Sequence, residues 1–292
     1  MTDYGVLFTE LAIARLVGTP NHRLVREVLK RELAARGFTV AEHAFSGRPA
    51  RALLGVPPRV SGTNLIARRA AGPSGRPAVW LVAHYDSKGQ PMSMATRLAG
   101  FGALGIGVLS LPLGLAVGVV LTVAGLFVLS LNRVTDRSPG AVDNATALVA
   151  VFMVIDQLPP DASVGVIFPD AEEYGLVGAR ALAAERPELL AGSAVINLDG
   201  LDDGGRPFVL LHRPGAVSAA LAEALHARRA RWLPVIVDGI ALARVARECV
   251  TILKGDLTTL RVVHTLADRP QRVRLDGAAS VAAGLARVLR QP

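Results

Sequence analysis

The chain has 292 residues, of which 51% are hydrophobic and only 4% aromatic, with a formal net charge of +8. That length supplies core for one large α/β domain or two small ones. The positive charge is almost all arginine, since lysine occurs only at Lys30, Lys88 and Lys254. It is scattered along predicted helices without aromatic interleaving, which argues against a nucleic-acid partner and leaves attraction to an anionic membrane open. One cysteine, Cys249, excludes an intrachain disulfide, and its apolar run predicts a buried strand residue.

In chain order, residues 8–17 and 21–36 read as helices, the second closing at Gly37 with Leu24, Val25, Val28, Leu29 and Leu33 on one face. Residues 38–45 alternate like a half-exposed strand, and 63–67 and 78–83 read as further strands, the last running into His84-Tyr85-Asp86-Ser87. No basic, apolar leader opens the chain, so synthesis without export is expected. With neither a linker nor a repeat, residues 1–292 are expected to form one domain.

No charged residue lies between Arg97 and Arg133. One helix of that length would reach about 50 Å against a hydrocarbon core of ~30 Å. Leu111-Pro112-Leu113-Gly114 breaks it near the middle, predicting an inserted helical hairpin with limbs at 98–111 and 115–131. Its glycines, including Gly114 and Gly118 in small-xxx-small spacing, permit close helix contact in lipid. Arg97, Arg133 and Arg137 flank it, which places the ends on the cytoplasmic face. A full span and a shallow insertion both suit these limbs; a core hairpin or an oligomer interface is the alternative.

Beyond the hairpin, Asp143 opens a helix over 145–158, the strand 164–168 runs into Glu172-Glu173, and a helix covers 177–184. The strand 194–198 precedes Asp199. Then come a strand at 208–211, a helix over 216–229, a strand at 233–237, a helix at 240–247, and strands at 249–253 and 260–263, the last before His264. Such alternation implies a largely parallel or mixed sheet covered on both faces, an α/β fold.

Each candidate ligand has an ordinary reading alone, as a turn aspartate or a surface histidine. Together His84, Glu173, Asp199 and His264 follow four strands, and Asp143 starts a helix, so one sheet edge gathers two imidazoles and three carboxylates. That set suits zinc, with cobalt or manganese as substitutes. Two ions sharing a bridging carboxylate would use all five residues and leave Glu172 as general base. Asp86, two residues after His84, is placed to accept a hydrogen bond from its imidazole.

The pieces His84-Tyr85-Asp86-Ser87, Pro139-Gly140-Ala141-Val142-Asp143-Asn144, Ala171-Glu172-Glu173-Tyr174-Gly175-Leu176-Val177-Gly178, Asn197-Leu198-Asp199 and His264-Thr265 with Asp268 resemble the co-catalytic di-zinc aminopeptidases. That family includes bacterial leucyl aminopeptidases and glutamate carboxypeptidase, with glutaminyl cyclases as relatives. The resemblance spans most of the chain, with Asn64-Leu65-Ile66-Ala67 matching the strand before. It implies a three-layer α/β/α sandwich around a mixed sheet of about eight strands. It also implies that Asp143 bridges two zinc ions, that His84 and Asp199 complete one site and Glu173 and His264 the other, and that Glu172 is the base. Two departures stand out: the apolar hairpin replaces a short polar loop, and the region before the last histidine lacks the tyrosine donor that many members supply, the only tyrosines being Tyr4, Tyr85 and Tyr174. The family's Ser-Asp appears only as Val237-Asp238-Gly239.

The expected activity is that of a zinc-dependent aminopeptidase at a membrane surface, acting on a peptide or amphiphilic amide and anchored in lipid through residues 98–131. A glutaminyl-cyclase-like aminoacyl transferase and a non-catalytic membrane scaffold of the same fold are the alternatives.

Overall fold

A computed structural model describes residues 3–50, 54–69 and 77–290. In order, its elements are α1 (Tyr4–Leu11), α2 (Pro20–Ala35), β1 (Thr39–Gly47), β2 (Val60–Arg68), β3 (Val79–Val82), α3 (Met94–Ser110), α4 (Ala116–Ser130), α5 (Thr146–Gln157) and β4 (Val164–Phe168). Then follow α6 (Val177–Glu185), β5 (Ala194–Leu201), β6 (Arg206–Arg213), α7 (Ala216–Ala224), β7 (Arg228–Ala230), α8 (Gly239–Leu242), β8 (Glu248–Gly255), α9 (Leu257–Val262) and α10 (Asp276–Leu289).

Eight strands form one mixed sheet in the order β1-β2-β4-β3-β5-β8-β6-β7. Its centre, β4-β3-β5-β8, is parallel throughout, while β2 joins β4 and β6 joins β8 antiparallel. Successive side chains of β3 go to opposite faces, Val79 and Leu81 to one core and Trp80 and Val82 to the other. The first core is covered by α1, α2, α5, α7 and α10, the second by α6 and α8. Burial on both faces explains why the central strands read as unbroken apolar runs, each large side chain contributing about 1.5–3 kcal/mol. Cys249 lies buried in β8, as its run predicts.

Several boundaries differ from expectation. The 260–263 run is helical: the Asp256 side chain caps the amides of Thr258 and Thr259 and starts α9, and that cap outweighs the β-branched residues behind it. No strand forms over 233–237, where Pro234 has no amide to give a ladder. The helix expected to reach 229 stops at Ala224, before His226 at φ 47°, and Arg228–Ala230 becomes an edge strand instead. Only Gly239–Leu242 of the 240–247 helix is formed, and α1 begins earlier than 8–17, capped by Asp3.

The hairpin is α3 and α4, turned through Leu111–Leu113 and Gly114 at φ 67°. Glycines line the seam between its limbs. A Cβ on Gly107 would lie 2.5 Å from Thr122 N, and one on Gly125 2.7 Å from Leu104. The buried positions of the two limbs are Arg97, Gly100 and Gly107 on α3 and Gly118 and Gly125 on α4, while Ile106, Leu109, Val120, Val123 and Phe127 stand exposed. Among the described residues one helical stretch, Met94–Leu113, is long and apolar enough to cross a membrane; α4 is shorter.

Candidate metal centre

The centre lies at the edge where the parallel strands end. His84 follows β3, Glu172 and Glu173 form a short turn after β4, and Asp143 lies in the turn entering α5. Asp199 sits inside β5, where the register with β8 shifts between Leu198 and Leu201, rather than after the strand. His264 follows the helix α9, not a strand, in left-handed backbone at φ 67°.

The five predicted ligands converge as two groups that share Asp143. In His84, Asp143 and Asp199, and again in Asp143, Glu173 and His264, the ligand atoms lie within 4.8 Å of one another. Asp143 Oδ1 is 3.1 Å from His84 Nε2 and Oδ2 is 2.9 Å from His264 Nε2; Glu173 Oε2 is 3.2 Å from the same His264 nitrogen. Although close, His84 Nε2 and Asp143 Oδ1 are misaligned for a hydrogen bond and stay unpartnered. Two buried polar atoms left orphaned face to face, in a mixed imidazole and carboxylate set, fit a metal.

The electrostatics divide the carboxylates. Burial, then Glu173, Asp199 and Asp238, push Glu172 well above the usual carboxylate range, against the pull of His84. Burial resists ionisation of Asp143 too, but the adjoining imidazoles of His264 and His84 outweigh it and hold that carboxyl well below its ordinary value. Burial likewise works against a charged His84, yet Glu172, Asp143 and Asp86 raise it well above the ordinary imidazole.

Around the ligands the backbone is pinned. Asp86 Oδ1 and Oδ2 accept the amides of Glu172 and Glu173, both at 3.1 Å. Its carboxylate is 3.4 Å from His84 Nδ1, while the imidazole hydrogen bond runs to the Asp86 main-chain oxygen at 3.2 Å. Asp268 accepts the amides of Val142 (2.7 Å) and Asp143 (3.2 Å). Asn144 brackets Asp199, donating to Leu198 O and accepting from the Gly200 amide, both at 3.1 Å. Before the turn, Gly140 takes φ 58°, and a Cβ there would meet Asp143 O at 2.4 Å.

Four further residues lie at or beside the centre, of which the sequence marks only Asp238, as part of an incomplete motif. Fully buried Arg15 donates to Tyr85 O (2.8 Å), Pro139 O (2.6 Å) and Gly140 O (3.1 Å), tying the His84 loop to the Asp143 loop. Lys88 pairs with Glu173 at 2.6 Å, and Arg97, expected at the lipid boundary, turns inward onto His264. Asp238 is buried with both carboxylate oxygens unpartnered, and burial raises it to about 7. The visible hints are a Lys directly after a ligand loop and the partial match Val237-Asp238-Gly239. The tyrosines supply no free donor from Tyr4, bonded to Asp156, or Tyr85, bonded to Thr63 O and Asp170.

The family model described as Peptidase family M28 matches residues 64–234, more than half of the chain. The chain belongs to peptidase family M28. The match contains His84, Asp143, Glu172, Glu173 and Asp199 and ends before His264. Among solved structures, the glutaminyl cyclase of Porphyromonas gingivalis is similar at TM-score 0.69 and 16% identity, over 98% of this chain and 96% of that one. An aminopeptidase from Aneurinibacillus sp. strain AM-1 gives 0.67 at 10% identity, over 99% and 92%. A zinc aminopeptidase from Bacillus subtilis gives 0.66 at 13% identity, over 97% and 93%. At such identities these M28-like neighbours establish the fold. No curated protein matches the sequence. Family and site chemistry together support a metal-dependent hydrolase.

Proposed function

We propose that this M28 chain is a zinc-dependent exopeptidase working as an aminopeptidase at a membrane surface. The observation that carries the reading is the pair of ligand groups sharing Asp143, with Glu172 beside them. Asp143 would offer one oxygen to each position, His84 and Asp199 would complete the first, and Glu173 and His264 the second. Bound zinc supplies Lewis acidity toward the scissile carbonyl and acidifies the attacking water. Glu172, which burial raises well above the usual carboxylate range, would take a proton from the attacking water and hand it to the leaving amine. Asp86 keeps Glu172 and Glu173 in register by holding both of their amides. In Glu172→Gln, hydrolysis of aminoacyl amides should fall at least ~100-fold while zinc per chain stays unchanged; wild-type turnover in that variant would sink the assignment.

The hairpin supports the surface location. Small residues inside and large apolar residues outside is the arrangement expected against lipid, where close backbone contact replaces the hydrophobic drive between helices. Exposed Arg133 and Arg137 at its base suit the anionic cytoplasmic face. The second limb hangs from the chain between His84 and Asp143, so a peptide or amphiphilic amide presented at the interface is the substrate class we assign.

A second reading, aminoacyl transfer with cyclisation, draws on the glutaminyl cyclases among the fold neighbours. The retained five-ligand set favours hydrolysis, and it also weighs against a scaffold without activity. Release of ammonia rather than a free amino acid from a glutaminyl peptide would decide for cyclisation.

A further inference from the structure

We propose that the two metal positions of this centre are unequal, and that two cations of this chain, Lys88 and Arg97, weaken one of them. The inference rests on the two-metal reading above and concerns which position fills first.

Behind His84 there are acceptors. Its Nδ1 lies 3.2 Å from Asp86 O and 3.4 Å from Asp86 Oδ1. An imidazole that gives its Nδ1 proton to an acceptor presents a bare lone pair at Nε2, the atom a metal takes. In the neutral ring the proton therefore sits on Nδ1, and the position made by His84, Asp143 and Asp199 has its histidine oriented for a metal at Nε2.

Behind His264 there is a donor. Arg97 Nη2 sits 2.5 Å from His264 Nδ1, and a guanidinium has donors only. Nδ1 must then accept, which leaves the proton of the neutral ring on Nε2, facing Asp143 Oδ2 and Glu173 Oε2. A metal at that nitrogen has to displace a proton that Arg97 has steered there.

The other ligand of this position is held the same way. Lys88 Nζ pairs with Glu173 Oε2 at 2.6 Å, and the Lys88 amide donates to Oε1 at 3.3 Å. Oε2 is also the oxygen nearest His264, so a metal must share it with an ammonium group. Both private ligands of the second position thus carry a cation; among the described residues neither His84 nor Asp199 does. Arg15, the third buried cation nearby, bonds main-chain carbonyls and no ligand side chain.

Arg97 has no other strong attachment. It is 8% exposed, its Nε is buried without a partner, no carboxylate lies within ion-pair distance among the described residues, and its remaining contact is Met94 Sδ at 3.2 Å. It stands in the first turn of α3, so the foot of the hairpin sets the affinity of the second metal position.

Metal-free full-length protein titrated with zinc or cobalt(II) tests this by calorimetry. Two binding classes are expected, at least about tenfold apart, a gap of the size that groups behind a ligand produce. His84→Ala should remove the tight class and His264→Ala the weak one. Lys88→Gln or Arg97→Gln should tighten only the weak class, by about tenfold. In the unmutated chain, ring NMR signals of His84 should shift before those of His264, a readout that needs no variant to fold. Equal affinities, His264 filling first, or folded Lys88 and Arg97 variants with an unchanged or weaker second class would overturn the inference while leaving the two-metal reading intact. Absence of any bound ion would overturn both.

Discussion

The carboxylate of Asp86 accepts the main-chain amide of Glu173 at 3.1 Å, so the residue two places after one predicted ligand fixes the backbone of another, 87 positions further on. Its other oxygen does the same for Glu172. Asp86→Ala should leave two buried amides without acceptors and cost about 2–3 kcal/mol of stability, measured by urea denaturation. A cost below about 0.5 kcal/mol would show that the amides find other partners.

Replacing residues 98–131 by a short polar loop should move the protein from the membrane pellet to the soluble fraction. The deletion leaves Arg97 and Arg133 in place and removes the exposed apolar surface of both limbs. Continued sedimentation with membranes would contradict the lipid seat.

His212 lies beside Thr251, its Nε2 2.8 Å from the hydroxyl, and burial lowers its pKa from 6.5 to about 4. The unfolded chain then binds a proton between those two values that the folded chain does not, so stability should fall as pH drops from 6.5 to 4 and level off below. The ring is partly solvated, which makes the loss smaller than the full shift implies. His212→Gln should flatten that part of the thermal-stability profile; an unchanged slope would assign it to other groups.

Cys249 is buried in β8, and burial pushes its thiol well above the ordinary value. Alkylation by iodoacetamide should be negligible at pH 8 in the native protein and complete in denaturant. Rapid native labelling would mean that β8 opens.

Much of this architecture can be read from residue order. The run 164–168 is β4 to the residue, because a short, β-branched, uncharged segment between turns has few other uses in an α/β chain. The gathering of His84, Glu173 and Asp143 follows from a parallel sheet, whose strands all end at one edge. The helix α9 escaped because its signal is a cap four residues ahead of the run, where a single Asp decides between two periodicities. Lys88 and Arg97 escaped for a different reason. Their contacts with Glu173 and His264 join positions 85 and 167 residues apart through long side chains that could equally have faced solvent. Residue type and spacing locate ligands held by backbone; they do not say where a flexible cation comes to rest.

The place of the hairpin in the chain also sets an order in time. Residues 94–130 leave the ribosome after His84 but before Asp143, Glu173, Asp199 and His264. With the limbs seated in lipid as proposed, the chain is delivered to its membrane while four of its five ligands are still unmade. Maturation of the hydrolase would then be confined to the place where it works, and nascent chains in the cytosol would hold no finished centre with which to cut other peptides.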